Sequence, residues 1–201
     1  MHFITLERLA SSQVIPEHPT LRFLVAGMTR GGTQYVANFL RRVGVPAGHE
    51  SVFGVDGVRE LVPFYKKQQI EAEVSGLIAP GYLSRINWPL VHLMRHPVEC
   101  IRSNMAFFHF TDWDTLCRVY LDWHRAIQAA ALFTIHLERF AETVDELVRL
   151  AAPNPTPSRS AVEQAMQFVD RGARKYTPHP NGWEQLSPEL QEYARSHGYG
   201  P

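Results

Sequence analysis

Apolar residues in this chain fall into short blocks separated by polar turns rich in glycine and proline. Residues 21–26 (Leu-Arg-Phe-Leu-Val-Ala) favour β structure and stop at Gly27. Such a run reads as a buried strand. Residues 33–43 then place Val36, Phe39, Leu40 and Val43 at helical intervals, and Gly44 is a natural stop. The chain therefore reads strand, glycine-rich turn, helix. Residues 45–60 carry Pro46, Gly48, Gly54 and Gly57 and read as irregular. Residues 71–75 fit a short strand, followed by a helical stretch interrupted at Pro80-Gly81. Residues 89–95 predict a further buried strand. Pro97 suits the first turn of the next helix, where its missing N–H costs nothing.

A long helix is predicted over residues 112–131, opened by Asp112 or Asp114. Residues 132–137 predict another strand and 142–151 an amphipathic helix. Residues 153–160 form a polar, proline-rich break. Short helices follow near 160–170 and 188–197, with an extended loop over 171–187. Strands alternating with helices predict an α/β fold: three α/β/α layers around a mostly parallel central sheet. Residues 1–201 read as one domain. Its core spans 21–152, and 153–201 pack on it as a loop and short helices. In such folds the ligand sits beyond the carboxyl ends of the strands. The polar clusters at 27–34, 49–50, 95–103 and 138–139 fall there.

Composition narrows the partners. Lys plus Arg number 20, as do Asp plus Glu. That balance argues against a broad basic surface, so neither nucleic acid nor membrane is expected as a partner. Arginine nevertheless outnumbers lysine 17 to 3. Its planar, forked donor suits phosphate and sulfate groups. Cys100 and Cys117 belong to no CxxC pair and read as reduced structural thiols. No apolar run reaches the roughly 20 residues that span a bilayer. Residues 1–5 lack the basic-then-apolar pattern of a secretory signal. A soluble, cytoplasmic protein is expected.

Two constellations carry chemistry. The first, Gly27 to Gln34, joins a strand to a helix. The first N–H groups of a helix lack partners, and its dipole favours an anion there. Gly31 and Gly32 let the backbone approach a phosphate closely. Arg30 adds a cation and Thr33 a hydroxyl donor. Gly27 and Gly32 have the G-x-x-x-x-G spacing of a nucleoside-triphosphate loop, but Thr33-Gln34 stands where Lys-Ser or Lys-Thr belongs. The three lysines, Lys66, Lys67 and Lys175, lie elsewhere. This weakens an ATPase, GTPase or kinase reading. In the second constellation, Arg95 ends a strand and Ser103 sits about two turns into the following helix. A guanidinium and a hydroxyl so placed can hold one phosphate from two sides.

Together these segments resemble the PAPS-dependent sulfotransferase superfamily, a P-loop-containing nucleotide-binding fold. Its 5′-phosphosulfate loop often reads Pro-Arg/Lys-Ser-Gly-Thr. Thr29-Arg30-Gly31-Gly32-Thr33 is similar, with Thr for Pro and Gly for Ser. Its 3′-phosphate motif often reads Arg-Asp-Pro, with a Ser eight residues after the Arg. Arg95-His96-Pro97 with Ser103 has that spacing, with His for Asp. The resemblance implies that Arg30, Gly31, Gly32, Thr33 and Gln34 cradle the 5′-phosphosulfate. It implies that Arg95 and Ser103 hold the 3′-phosphate. Leu137-Glu138-Arg139-Phe140 and Trp183-Glu184-Gln185-Leu186, ending in His197-Gly198-Tyr199, are weaker echoes of the same family. The implied co-substrate is PAPS, with PAP as product and no metal. The acceptor would be a small molecule or glycan bearing a hydroxyl or amine.

A base must take the acceptor's proton. Several branches of the family carry a Glu after the phosphate-loop helix, which assigns the role to Glu50 by resemblance. His49 is the runner-up, since an ordinary histidine titrates at about 6.5. Arg30 joins them as the cation that stabilises developing charge. Glu71, Glu73 and Ser75 are candidates to line the acceptor cleft, and Arg174 and Lys175 to clamp the donor. Phe107, Phe108, His109, Phe110 and Trp113 form an aromatic run that fits core packing or an apolar acceptor pocket. His92 and His96 are four apart, but on a strand-to-turn segment that completes no ligand set. Besides the kinase reading, a non-catalytic PAP-binding module would carry the same motifs.

Overall fold

Short apolar strands stay buried only where both faces of their sheet are covered. The computed structural model of this chain, which describes residues 13–15, 18–54, 57–58, 69–172 and 182–201, does this with two helical layers. The elements run β1 (Phe23–Ala26), α1 (Thr33–Arg42), β2 (Ala47–His49), β3 (Phe53–Gly54), β4 (Gly57–Val58) and β5 (Ala72–Ser75). Then come α2 (Pro80–Leu83), β6 (Leu90–Met94), α3 (Pro97–Phe108), α4 (Trp113–Ala130) and β7 (Thr134–His136). A 3₁₀ turn (Leu137–Arg139), α5 (Phe140–Ala151), α6 (Arg159–Gly172) and α7 (Pro188–Ser196) complete the order.

Five strands form a parallel sheet in the order β2-β5-β1-β6-β7, and β3 pairs with β4 in a separate antiparallel hairpin. Alternate residues of β1 feed two cores. Phe23 and Val25 pack with α1, α5 and α6, while Leu24 and Ala26 pack with α2, α3, α4 and α7. The expected α/β/α layering and parallel sheet are thus present. The chain leaves central β1 toward β2 and later returns to β6 on the other side. The crevice for a ligand opens where those directions diverge. No helix among the described residues is long and apolar enough to cross a membrane.

Two local expectations change. Residues 45–60 contain a sheet strand, β2, within a stretch read as irregular. Ala47-Gly48-His49 has little β propensity of its own, but pairing with β5 holds it in the sheet. Pro80 opens α2 at its first turn instead of interrupting a helix. The starts of α4 and α7 are capped by side chains. Asp112 accepts from the Thr115 N–H at the start of α4, and Ser187 from the Leu190 N–H at the start of α7.

The layer between the sheet and α4 contains a polar chain. His92 of β6 is fully buried, with Nδ1 3.1 Å from Thr134 Oγ1 and Nε2 2.7 Å from His124 Nδ1 on α4. His136 of β7 and His197 after α7 stack beside them, at 5.5 Å between ring centroids. Burial, first of all, lowers all four histidines, His136 to about 4 and His124 to about 3. Arg139 also lowers His136 and His197, and the histidines lower one another. Depressed histidines contribute stability that is complete above the unfolded value near 6.5 and is lost as pH falls. Glu73, raised to about 7, works in the opposite sense over the same window. His18 and His49 are lowered by burial as well, so six groups oppose one, and thermal unfolding is expected to show a melting temperature that falls steadily from pH 6.5 to pH 4. A flat profile across that window would show that the cluster protonates without cost.

Candidate active site

The turn after β1 is built by exclusion of side chains. A Cβ on Gly27 would strike the Leu93 carbonyl of the neighbouring strand. The Gly31 N–H closes a turn onto the Met28 carbonyl at 3.0 Å, and a Cβ on Gly31 would lie 2.7 Å from that oxygen. Arg30 and Gly32 both adopt left-handed backbone, with φ of 64° and 95°. Glycine takes this conformation freely, whereas arginine does so at a cost of about 1–3 kcal/mol. Helix α1 then begins with no side-chain cap and no acidic residue in its first turn. Its leading N–H groups therefore face the crevice with the positive end of the helix dipole.

The second motif meets this turn directly. Arg95, just beyond β6, donates Nη1–H to the Arg30 carbonyl at 2.9 Å. Arg30 Nε–H donates to Ser103 Oγ on α3 at 3.1 Å, and its guanidinium lies 4.7 Å above the Phe107 ring. Arg30, Arg95 and Ser103 thus form one hydrogen-bonded cluster although the sequence separates them by up to 73 positions. The Tyr120 hydroxyl holds the Arg95 carbonyl from α4.

On the other flank, Thr33 Oγ1 and His49 Nε2 are 3.0 Å apart. Burial and then Arg41 lower His49 to about 4, so it is neutral at pH 7. Glu50 follows in left-handed backbone, φ 53°, with its N–H donating to the Val74 carbonyl at 3.2 Å. Beneath this loop lies Glu73, fully buried on β5. Its Oε1 accepts from the Val52 and Phe53 N–H groups at 2.9 and 3.4 Å. Burial raises its carboxyl to about 7 against those bonds, and Glu50 pushes it further the same way.

Other sequence candidates sit elsewhere. Gln34 is exposed, and its amide donates along α1 to Asn38 at 3.0 Å. Glu71 lies before β5, away from the carboxyl ends of the strands, and pairs with Arg22 at 3.0 Å. Ser75 is buried and donates to the Phe53 carbonyl. Glu73 and Ser75 therefore brace the 51–53 loop from inside and do not line an open cleft. Within the aromatic run, Phe110 and Trp113 pack against the core, whereas Phe107 is 59% exposed. Phe108 packs edge-on against it. His92 and His96 diverge, His92 to His124 and His96 to the Gly200 carbonyl at 2.9 Å. Arg174 and Lys175 lie outside the described residues.

Two residues that hold the site, Gly76 and Asn104, were not singled out from sequence. Gly76 packs its Cα face on the turn after β1, and a Cβ there would lie 2.6 Å from Thr29 N and Cα. Fully buried Asn104 donates Nδ2–H to the Thr29 carbonyl at 2.7 Å and accepts from the Thr29 hydroxyl. Leu137 fills the space beside Gly32, and Glu138 Oε1 accepts the His96 N–H at 3.0 Å. A glycine directly after a strand was the available signal for Gly76. Asn104 carried none, because its partner lies 75 residues away.

No family model matches this chain, and no curated protein matches it in sequence. Among solved structures, mouse sulfotransferase SULT7A1 complexed with PAP superposes with a TM-score of 0.57 at 11% identity, over 96% of this chain and 86% of that one. The chain therefore has a sulfotransferase-like α/β fold, as the two motifs led one to expect.

The close approach at Gly76 is directly testable. Gly76→Ala forces a methyl against backbone, and overpacking of this kind costs about 1–3 kcal/mol. Urea unfolding should show that loss in the transition midpoint. An unchanged midpoint would mean that the loop yields freely.

Proposed function

We propose that this chain is a PAPS-dependent sulfotransferase, moving a sulfuryl group from that donor to a hydroxyl or amine on a small molecule or glycan. The observation that carries the reading is the convergence of Arg30, Arg95 and Ser103 in one cluster beside the uncapped start of α1. The donor supplies an activated sulfate on a 5′-phosphate and bears a second phosphate at 3′. Two guanidiniums and two hydroxyls, from Thr33 and Ser103, match that pair of anionic groups. The glycines at 31, 32 and 76 support the fit, because side chains at 31 and 76 would collide with backbone and one at 32 with Leu137.

In this reading Gly31, Gly32 and Thr33 cradle the 5′ end, and Arg30 stabilises charge on the transferred group. Arg95 and Ser103 hold the 3′-phosphate. Gln34 reaches the donor only by leaving Asn38. His49, about as weak a base as a carboxylate, is engaged with Thr33 and orients its hydroxyl. By the resemblance, the acceptor's proton is assigned to Glu50, the next residue. Sulfuryl transfer between oxygens needs in-line positioning and charge stabilisation, and the residues named supply both. Cys100 and Cys117 are buried and free, which supports a reducing, cytoplasmic setting. A kinase reading draws no such support. Thr33-Gln34 takes the Lys-Ser/Thr place, and β5, beside β1, ends in Ser75-Gly76 without a carboxylate for Mg²⁺.

PAP at a hundredfold excess over its Kd should stabilise the fold by about 2.7 kcal/mol, a rise of several degrees for a chain of this length. Arg95→Ala should abolish that rise. Stabilisation by ATP or GTP with Mg²⁺, and none by PAP, would overturn the reading. Given an accepting substrate, Glu50→Gln should slow transfer by about 10²–10⁴-fold while the PAP-dependent rise persists. Unimpaired transfer by Glu50→Gln would remove Glu50 as the base. PAP binding with no transfer across a broad panel of hydroxyl and amine acceptors would instead mark a non-catalytic binding module.

A further inference from the structure

The phosphate loop departs from the pattern it resembles at Thr29, where a proline is usual. A proline ring would fix the backbone torsion just before the strained residue Arg30. Thr29 has no ring, and threonine alone leaves that torsion free to vary. The backbone is held here by an amide from another element. Asn104, fully buried on α3, donates Nδ2–H to the Thr29 carbonyl at 2.7 Å and to the Cys100 carbonyl at 2.9 Å. Its Oδ1 accepts from the Thr29 hydroxyl. The Cys100 thiol approaches the same Thr29 carbonyl at 3.4 Å. Gly76 closes the opposite side of Thr29.

Two consecutive residues of α3 therefore act on two consecutive residues of the loop. Ser103 meets the Arg30 side chain, and Asn104 meets both polar groups of Thr29. A buried asparagine serving only its own helix would need just the Cys100 carbonyl. The two bonds to Thr29 exceed that need and determine where the peptide entering Arg30 points.

We propose that Asn104 is a positioning residue that locks the Thr29–Arg30 backbone from within the core and so sets the anion affinity of the loop. For its ligand this inference rests on the sulfotransferase reading, but the lock itself does not.

The test pairs a ligand-free readout with a ligand-dependent one. Amide hydrogen exchange over residues 28–34 is measured for the parent, Asn104→Ala, the isosteric Thr29→Val, and the double variant. PAP-dependent melting shifts are measured for the same four proteins. Asn104→Ala should speed exchange at the Gly31 N–H by about tenfold, with β6 exchange unchanged. PAP affinity should fall by a similar factor. Thr29→Val should move both readouts the same way. The double variant should lose no more than Asn104→Ala alone, because both changes break one lock. Parent-like exchange over 28–34 in both single variants would overturn the proposal, as would strictly additive losses. If Asn104→Ala fails to fold, Thr29→Val decides. If PAP fails to bind the parent, the sulfotransferase reading fails while exchange still judges the lock.

Discussion

The Arg30 carbonyl is the point on which this site turns. Its residue sits in left-handed backbone, a conformation costing about 1–3 kcal/mol for a residue with a Cβ. A hydrogen bond from a charged donor is worth about 1.5–3 kcal/mol. The single bond from Arg95 is therefore of the right size to hold the turn. Arg95 cannot then act only on its own side of the crevice. It shapes the loop that opens α1 from across the crevice. Loss of Arg95 removes a cation and relaxes the neighbouring turn together, so the two halves of the site respond as one unit.

The short stretch Leu137–Phe140 explains how that unit is anchored. Leu137 packs on Gly32, at the start of α1. Glu138 takes the His96 N–H through one oxygen and the Tyr199 hydroxyl through the other, at 3.0 and 2.9 Å. Arg139 donates to the His197 carbonyl at 2.6 Å, and Phe140 meets the rings of Tyr35 and Phe39 edge-on. Four consecutive residues thus touch α1, the start of α3 and the C-terminal segment. The polar layer of His92, His124, His136 and His197 lies beside this junction. Protonation there acts on the element that clamps the C-terminal segment to the strand end bearing Arg95.

What the chain reveals by itself follows from the range of each interaction. Strands and helices with their own hydrophobic period, such as Phe23–Ala26 and Thr33–Arg42, are legible because burial repeats locally. The two anion motifs are legible because each is a contiguous strand-to-helix turn. β2 is not, since Ala47-Gly48-His49 becomes a strand only through β5, and a Cβ on Gly48 would strike the Glu73 carboxyl. Glu73 reads as a candidate to line an acceptor cleft until the 51–53 loop folds over it. Asn104 and Gly76 escape notice for the same reason, because each acts on Thr29 from a remote part of the chain.

The placement of charge bears most directly on the kind of anion this crevice suits. A triphosphate loop concentrates its cation in a lysine at the helix start, where it reaches the terminal phosphates, and adds a carboxylate-bound metal. Here the helix start carries Thr33 and Gln34. Arg30 and Arg95 stand on the β6–α3 flank, where Arg30 accepts from Arg95 at its carbonyl and donates to Ser103 through its side chain. The opposite flank carries neutral His49, with Arg41 near enough to disfavour its protonation, then Glu50 and the buried Glu73, whose burial disfavours its charge. The fixed cations at the turn therefore reach it from the side, through the Arg95 bond to the Arg30 carbonyl, and the helix start itself offers only its own N–H groups and the Thr33 hydroxyl.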